Sequence, residues 1–305
     1  MTGRPIRDER VWLRDGRALA YAEWGDLHGP PVFFFHGSPL SRLWCPDEEA
    51  TQAAGVHLVA VDRPGVGRSD LQPGCRLADW PLDVVELADA LGIDRFAVAG
   101  YSAGGPYAVA CAALIGERVT RAGVVSTDPR IVLREQPGAI AELDEEDRRD
   151  FELVDRVDRE TAARSFAAEW EEWTRRIAEE PRRFFDVIPV NDQNRWFRED
   201  PARTGPFLEA VGEALQQGSA GGAWARLIAF EPCPFRLEEI SVEVCLWHGE
   251  RDVITPLAAA EFLASRIPNC KVTIWPEEGH IGIARHWDEI LDTLTAPSRF
   301  APDSF

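Results

Sequence analysis

The sequence predicts an α/β protein: a mostly parallel, doubly wound sheet carrying an inserted helical cap. Three observations predict it. Short β-rich runs alternate with helical patterns along most of the chain, as they do where helices cover both faces of a parallel sheet. From the third run on, most of these runs are continuously apolar rather than alternating, as strands buried on both faces must be. One long interval, residues 130–236, breaks the rhythm with helical pattern alone.

Taken in order, the expected strands are Arg10 to Leu13, Ala18 to Trp24, Val32 to Phe35, Val56 to Val61, Phe96 to Ala99, Ala122 to Ser126, Val242 to Trp247 and Val272 to Trp275. The first two read as an antiparallel hairpin turning near Asp15-Gly16. Helical patterns lie between them at Asp47 to Ala54, Leu77 to Leu91, Pro106 to Leu114, Pro256 to Arg266 and Ile283 to Leu294. The strandless interval, punctuated by Pro181, Pro189, Pro201, Pro206, Pro232 and Pro234, is expected to be a cap inserted into one core made of residues 1–129 and 237–305. Within it, Glu142 to Glu160 interleaves acids and bases with Leu143, Phe151, Leu153, Val154 and Val157, the pattern of one solvated amphipathic helix.

Composition removes several classes of function. With 45% apolar and 28% charged residues among 305, the chain can bury a sizeable core without staples. A formal charge of -19 and the lack of any Lys/Arg-rich block argue against nucleic acid or anionic lipid as partners. No apolar run reaches the roughly 18 residues a spanning helix needs. The opening residues, MTGRPIRDERVWLRDG, hold no apolar stretch of the secretory kind, so a cytoplasmic protein is expected. Six scattered cysteines form no CxxC pair and no close Cys/His set, which favours reduced packing thiols over bridges or a metal site.

The chemistry centres on Gly100-Tyr101-Ser102-Ala103-Gly104. A G-x-S-x-G match alone is weak, but here an apolar strand ends at Gly100 and a helical pattern opens at Gly105-Pro106, the strand-turn-helix setting of a nucleophile elbow. A serine hydroxyl needs a base to take its proton. Of six histidines, His28 and His57 read as structural or solvated, and His286 falls in a helical pattern. His36 and His248 end apolar runs and precede glycine, so they read as positioning residues beside the site. His280, after Glu278-Gly279 on the loop beyond the last strand, is the expected base.

The histidine in turn needs a carboxylate to hold its tautomer. Asp252, on the loop after His248-Gly249, is the expected acid, with Asp128 at the end of the preceding strand as its rival. The tetrahedral oxyanion needs two N–H donors. Ala103 supplies one from the elbow, and Ser38, in His36-Gly37-Ser38-Pro39, is placed to supply the other.

Together these segments resemble the α/β-hydrolase superfamily in its esterase, lipase and lactonase-like branch. The resemblance rests on His36-Gly37, on Asp62-Arg63-Pro64-Gly65-Val66-Gly67-Arg68-Ser69-Asp70, on the Ser102 elbow, on the His248 to Asp252 loop and on Gly279-His280, in that order over residues 32–282. It makes Asp62 to Asp70 a structural turn rather than a phosphate loop. Proline iminopeptidases of this pattern carry His-Gly-Gly-Pro-Gly, which His36-Gly37-Ser38-Pro39-Leu40 does not match. Haloalkane dehalogenases and epoxide hydrolases place aspartate where Ser102 stands.

The resemblance implies a serine hydrolase with the triad Ser102, Asp252 and His280, acting on a small or medium carboxylic ester or lactone through an acyl-enzyme, with no metal or organic cofactor. His36, Gly37 and Tyr101 should line the site, joined from the aromatic-rich cap by Trp170 and Trp224. A C–C bond hydrolase, thioesterase or lyase would use the same triad, and a silent ligand receptor would share the fold. The sequence leaves the oligomeric state open.

Overall fold

A computed structural model of the chain describes residues 4–128, 133–134, 144–187 and 192–297. Eight strands form one sheet in the order β1-β2-β4-β3-β5-β6-β7-β8. They are β1 (Arg7–Trp12), β2 (Ala18–Gly25), β3 (Pro31–Phe35), β4 (His57–Val61), β5 (Phe96–Tyr101), β6 (Val119–Val125), β7 (Val244–Gly249) and β8 (Cys270–Trp275). β1 and β2 pair antiparallel, as do β2 and β4, and every later pairing is parallel. All eight expected strands are present, and the hairpin turns at Gly16, whose φ of +89° suits a residue without a Cβ.

β1 starts earlier than its apolar residues suggest. Its first residues, Arg7-Asp8-Glu9-Arg10, carry no apolar alternation because this edge strand is largely exposed. It is held by its ladder to β2 and by ion pairs, Arg7 to Glu23 and Asp8 to Arg42 and Arg68.

Alternate strand residues feed two cores, because successive side chains leave opposite faces of a sheet. Phe33, Phe35, Val59, Val61 and Val98 meet α2 (Trp80–Ala90), α3 (Gly105–Leu114) and α10 (Leu257–Arg266). Val32, Phe34, Leu58, Ala60 and Trp247 meet α1 (Glu48–Ala53) and α11 (Trp287–Thr295). The last helical pattern divides: His280 to Ala284 form a 3₁₀ turn, and His286 stands at the cap position before α11 rather than within a helix.

Between β6 and β7 every described element is helical: α4 (Glu145–Arg156), α5 (Arg159–Glu179), α6 (Phe184–Val187), α7 (Asp192–Arg198), α8 (Pro201–Leu215) and α9 (Ala220–Phe230). The stretch from Glu142 to Glu160 is therefore not one helix. Its break at Val157-Asp158 has a local cause: Asp158 accepts from the Thr161 amide at 2.9 Å and the Thr161 hydroxyl at 2.8 Å, starting a second helix with its own N-cap. Glu142 and Leu143 lie outside the described residues.

Two glycines seat α9 on the core. A Cβ on Gly221 would overlap the Gly65 carbonyl, and one on Gly65 would come within 2.8 Å of Gly221 Cα, so backbone meets backbone there. This contact sets α9 against the loop that leaves the carboxyl end of β4.

Candidate active site

Strand order decides where the reactive groups meet. The chain turns back between β3 and β5, and their parallel pairing sets Phe35 opposite Gly100. The loops leaving these strands, His36 to Leu40 and Ser102 to Gly104, therefore face each other at a switch point of the sheet, where crevices of α/β folds form.

Ser102 sits between β5 and α3 with φ of +52°, a left-handed conformation uncommon for a residue with a side chain. Its neighbours permit the turn by lacking side chains. A Cβ on Gly100 would overlap the Gly104 carbonyl, and one on Gly104 would overlap the Phe35 carbonyl. Ser102 is thereby held up at the amino end of α3, where the first helical N–H groups have no intrahelical acceptor.

His280 follows β8 and directs Nε2 to Ser102 Oγ at 3.0 Å. Its Nδ1 lies 2.8 Å from Asp252 Oδ2. The two loops are tied together: the Arg251 amide donates to the Glu278 carbonyl at 2.8 Å and the Glu250 amide to the Trp275 carbonyl at 3.0 Å. The Asp252 side chain is fully enclosed, with an exposure of 0%. Besides His280 it accepts from the Ile254 amide at 2.8 Å, the Thr255 amide at 3.0 Å and the Thr255 hydroxyl at 2.8 Å. Burial by itself would disfavour its charge, but His280 and these amide donors outweigh burial and bring its carboxyl down to about 2.

Asp128 follows β6, and its amide donates to the Ser102 carbonyl at 3.2 Å. It lines a cavity beside the serine, whereas the carboxylate in contact with His280 is that of Asp252.

Both strand-end histidines engage loop carbonyls. His36 Nδ1–H donates to the Gly37 carbonyl at 2.8 Å, and His248 Nε2–H to the Thr255 carbonyl at 3.0 Å. Burial lowers the pKa of each, reinforced at His36 by the Arg63 and Arg42 charges. Arg63 also donates to the His36 carbonyl, so the loop bearing Ser38 is held from both sides. Gly37 packs closely on this arrangement, its absent Cβ facing Ser102 Cβ at 3.1 Å and the Tyr101 ring at 3.0 Å. Tyr101 is buried and lies against the His280 ring, centroids 5.2 Å apart.

Ser38 and Ala103 share the wall of a cavity of about 180 Å³, bounded opposite by Trp170 of α5 and by Gly222, Ala225, Arg226, Ile228 and Ala229 of α9. Trp224 does not line it. At about 100° per residue on α9, position 224 points away from the face of 222, 225 and 229, and its ring lies with Arg63, Trp80 and Tyr107. The sequence shows that both tryptophans fall in helices but not the rotation of each helix. Thr255 escaped the sequence reading altogether. Its signal is the spacing Asp252-x-x-Thr255-Pro256 immediately before a helix, where Asp and Thr side chains bond nearby groups.

Among the described residues, no group of three or more His, Cys, Asp or Glu side chains is placed to hold a metal ion. No described helix is long and apolar enough to cross a membrane.

A family described as alpha/beta hydrolase fold matches residues 30–286. A bifunctional esterase/perhydrolase of Acinetobacter calcoaceticus is 25% identical over 279 residues, covering 88% of this chain and 92% of that protein. A non-heme chloroperoxidase of Streptomyces lividans is 27% identical over 266 residues, 84% of this chain and 88% of the other. Among solved structures, a bromoperoxidase from Bacillus anthracis superposes with a TM-score of 0.68 at 20% identity over 94% of this chain and 98% of that one.

Proposed function

The chain belongs to the alpha/beta hydrolase fold family, and from that premise we propose that it is a serine hydrolase cleaving a small or medium carboxylic ester or lactone through an acyl-enzyme. The observation that carries this reading is the unbroken hydrogen-bond path from Ser102 Oγ through His280 to the enclosed Asp252 carboxylate. The helices described between β6 and β7, α4 to α9, act as the cap.

The steps follow from which atom can hold a proton. Asp252 accepts from His280 Nδ1–H, so Nε2 carries the lone pair and takes the Ser102 proton as Oγ attacks the carbonyl carbon. The resulting oxyanion is received by the Ala103 and Ser38 amides, and the positive end of α3 adds to the attraction. His280 then returns the proton to the departing alcohol, which leaves Ser102 acylated. Water attacks the acyl-enzyme with His280 again taking a proton, and carboxylate and free serine result. The perhydrolase among the relatives favours one second reading, in which hydrogen peroxide replaces water as the acyl acceptor.

The test is covalent. A fluorophosphonate probe should add one adduct to the wild-type mass and none to Ser102→Ala. An adduct that persists in the alanine variant removes Ser102 from the role of nucleophile.

A further inference from the structure

Building on the acyl-enzyme reading, we propose that the cavity beside Ser102 accepts a neutral, compact acyl group of about one six-membered ring, with Gly222 and Ala225 of α9 setting the limit. The cavity is lined by both Ser38 and Ala103, the two residues whose amides would receive the carbonyl oxygen. That carbon carries both the acyl chain and the alcohol group, and this space is assigned to the acyl chain, which stays on Ser102 through both halves of the reaction. A second cavity, of about 40 Å³, shares Ser38, Trp170, Gly222 and Ala225 with it but not Ala103. It has room for only a few atoms. Trp170 stands at the boundary of the two, with its ring 3.7 Å from where a Cβ of Gly222 would lie.

Size follows from volume. An apolar cavity of about 150 Å³ holds benzene, so a space of about 180 Å³ covers benzoyl or hexanoyl, whereas decanoyl would extend beyond its walls. The space exists because Gly222, Ala225 and Ala229 recur at the three- and four-residue spacing of one helix face and carry at most a methyl group. Trp224 and Leu227 of the same helix are buried in the core instead, while Arg226 and Ile228 flank the small residues on the cavity wall.

Charge narrows the class further. Arg226 lines the cavity, but its guanidinium is held by Asp150 at 2.5 Å and Asp147 at 3.1 Å, so its charge is already matched. The other ionisable groups on the wall are the Asp128 carboxyl and the Tyr107 phenol, neither of them a cation. An acyl chain ending in a carboxylate would find on this wall no cation that an acid does not already hold.

The experiment compares kcat/KM for p-nitrophenyl acetate, hexanoate, benzoate and decanoate, and for the mono-p-nitrophenyl ester of adipic acid. Each buried methylene contributes about fourfold, so hexanoate or benzoate should exceed acetate by at least about tenfold. Decanoate and the adipate half-ester should each fall at least about tenfold below hexanoate. Gly222→Leu should cut the hexanoate-to-acetate ratio by about tenfold or more, and Gly222→Ala should move it the same way by less. Fluorophosphonate labelling reports whether each variant retains a folded site, and Ala225→Val takes the place of Gly222→Leu if the latter does not label. Decanoate turned over as well as hexanoate, an adipate half-ester as good as hexanoate, or an unchanged ratio in labelled variants overturns the proposal. A wild-type protein that neither labels nor cleaves any ester would instead overturn the serine-hydrolase reading beneath it.

Discussion

Asp252→Asn is the substitution with the largest expected consequence, because the carboxylate serves four donors at once. Oδ1 accepts the Ile254 and Thr255 amides, while Oδ2 accepts His280 Nδ1–H and the Thr255 hydroxyl. Asparagine keeps one oxygen. The two fixed backbone amides claim it, which turns the NH₂ toward His280 Nδ1. That nitrogen must then accept, the imidazole proton moves to Nε2, and the histidine loses the lone pair that takes the serine proton. Loss of the orienting carboxylate in a serine triad costs about 10⁴-fold in kcat, equivalent to about 5 kcal/mol of activation free energy.

A stability term accompanies this loss. The Asp252 carboxyl is brought to about 2 from the usual 3.8, so its folded pKa is depressed. Such a group stabilises the fold above its unfolded pKa and ceases to do so as pH falls through 3.8 toward 2. The shift amounts to about 2 kcal/mol at most, since part of the attraction requires a charged His280. Wild type and Asp252→Asn should therefore differ in urea unfolding at neutral pH and converge in acid. The assay is turnover of p-nitrophenyl butyrate by Asp252→Asn and Asp128→Asn, with unfolding curves for both. Near-normal turnover by the first variant with a crippled second would refute the assignment and move the acid to residue 128.

Other substitutions separate positioning, packing and selectivity. Thr255→Val removes the hydroxyl that shares Asp252 Oδ2 with His280; it should lower stability by about 1.5–3 kcal/mol, as for a hydrogen bond to a charged group, and reduce kcat, with Thr255→Ser restoring both in calorimetry and steady-state assays. Gly104→Ala drives a methyl group into the Phe35 carbonyl, so the purified variant should melt well below wild type, and an unchanged Tm would contradict the close packing of the elbow. Trp170→Ala should alter the ranking of acyl groups by opening the cavity wall, whereas Trp224→Ala, which empties a buried site, should lose about 3–5 kcal/mol and leave the ranking alone. Chain-length profiles and urea titrations of the two variants check this contrast.

The sequence by itself determined what contiguous residues can encode. Apolar runs and helical periods identified all eight strands and the helices between them, and Gly-x-Ser-x-Gly between strand and helix marked the elbow, because each signal depends only on neighbours. Where a local side chain competed with a repeating pattern, as at Asp158, the period alone misplaced the helix boundary. Tertiary structure alone decided which of two strand-end acids meets His280, since both Asp252 and Asp128 occupy loops at the same edge and only chain crossing sets their distances. It decided likewise that Trp170 faces the cavity and Trp224 does not. A helix's amphipathic period shows that it buries a face, but its rotation over the core depends on distant contacts such as Gly65 against Gly221, which no local window of sequence contains.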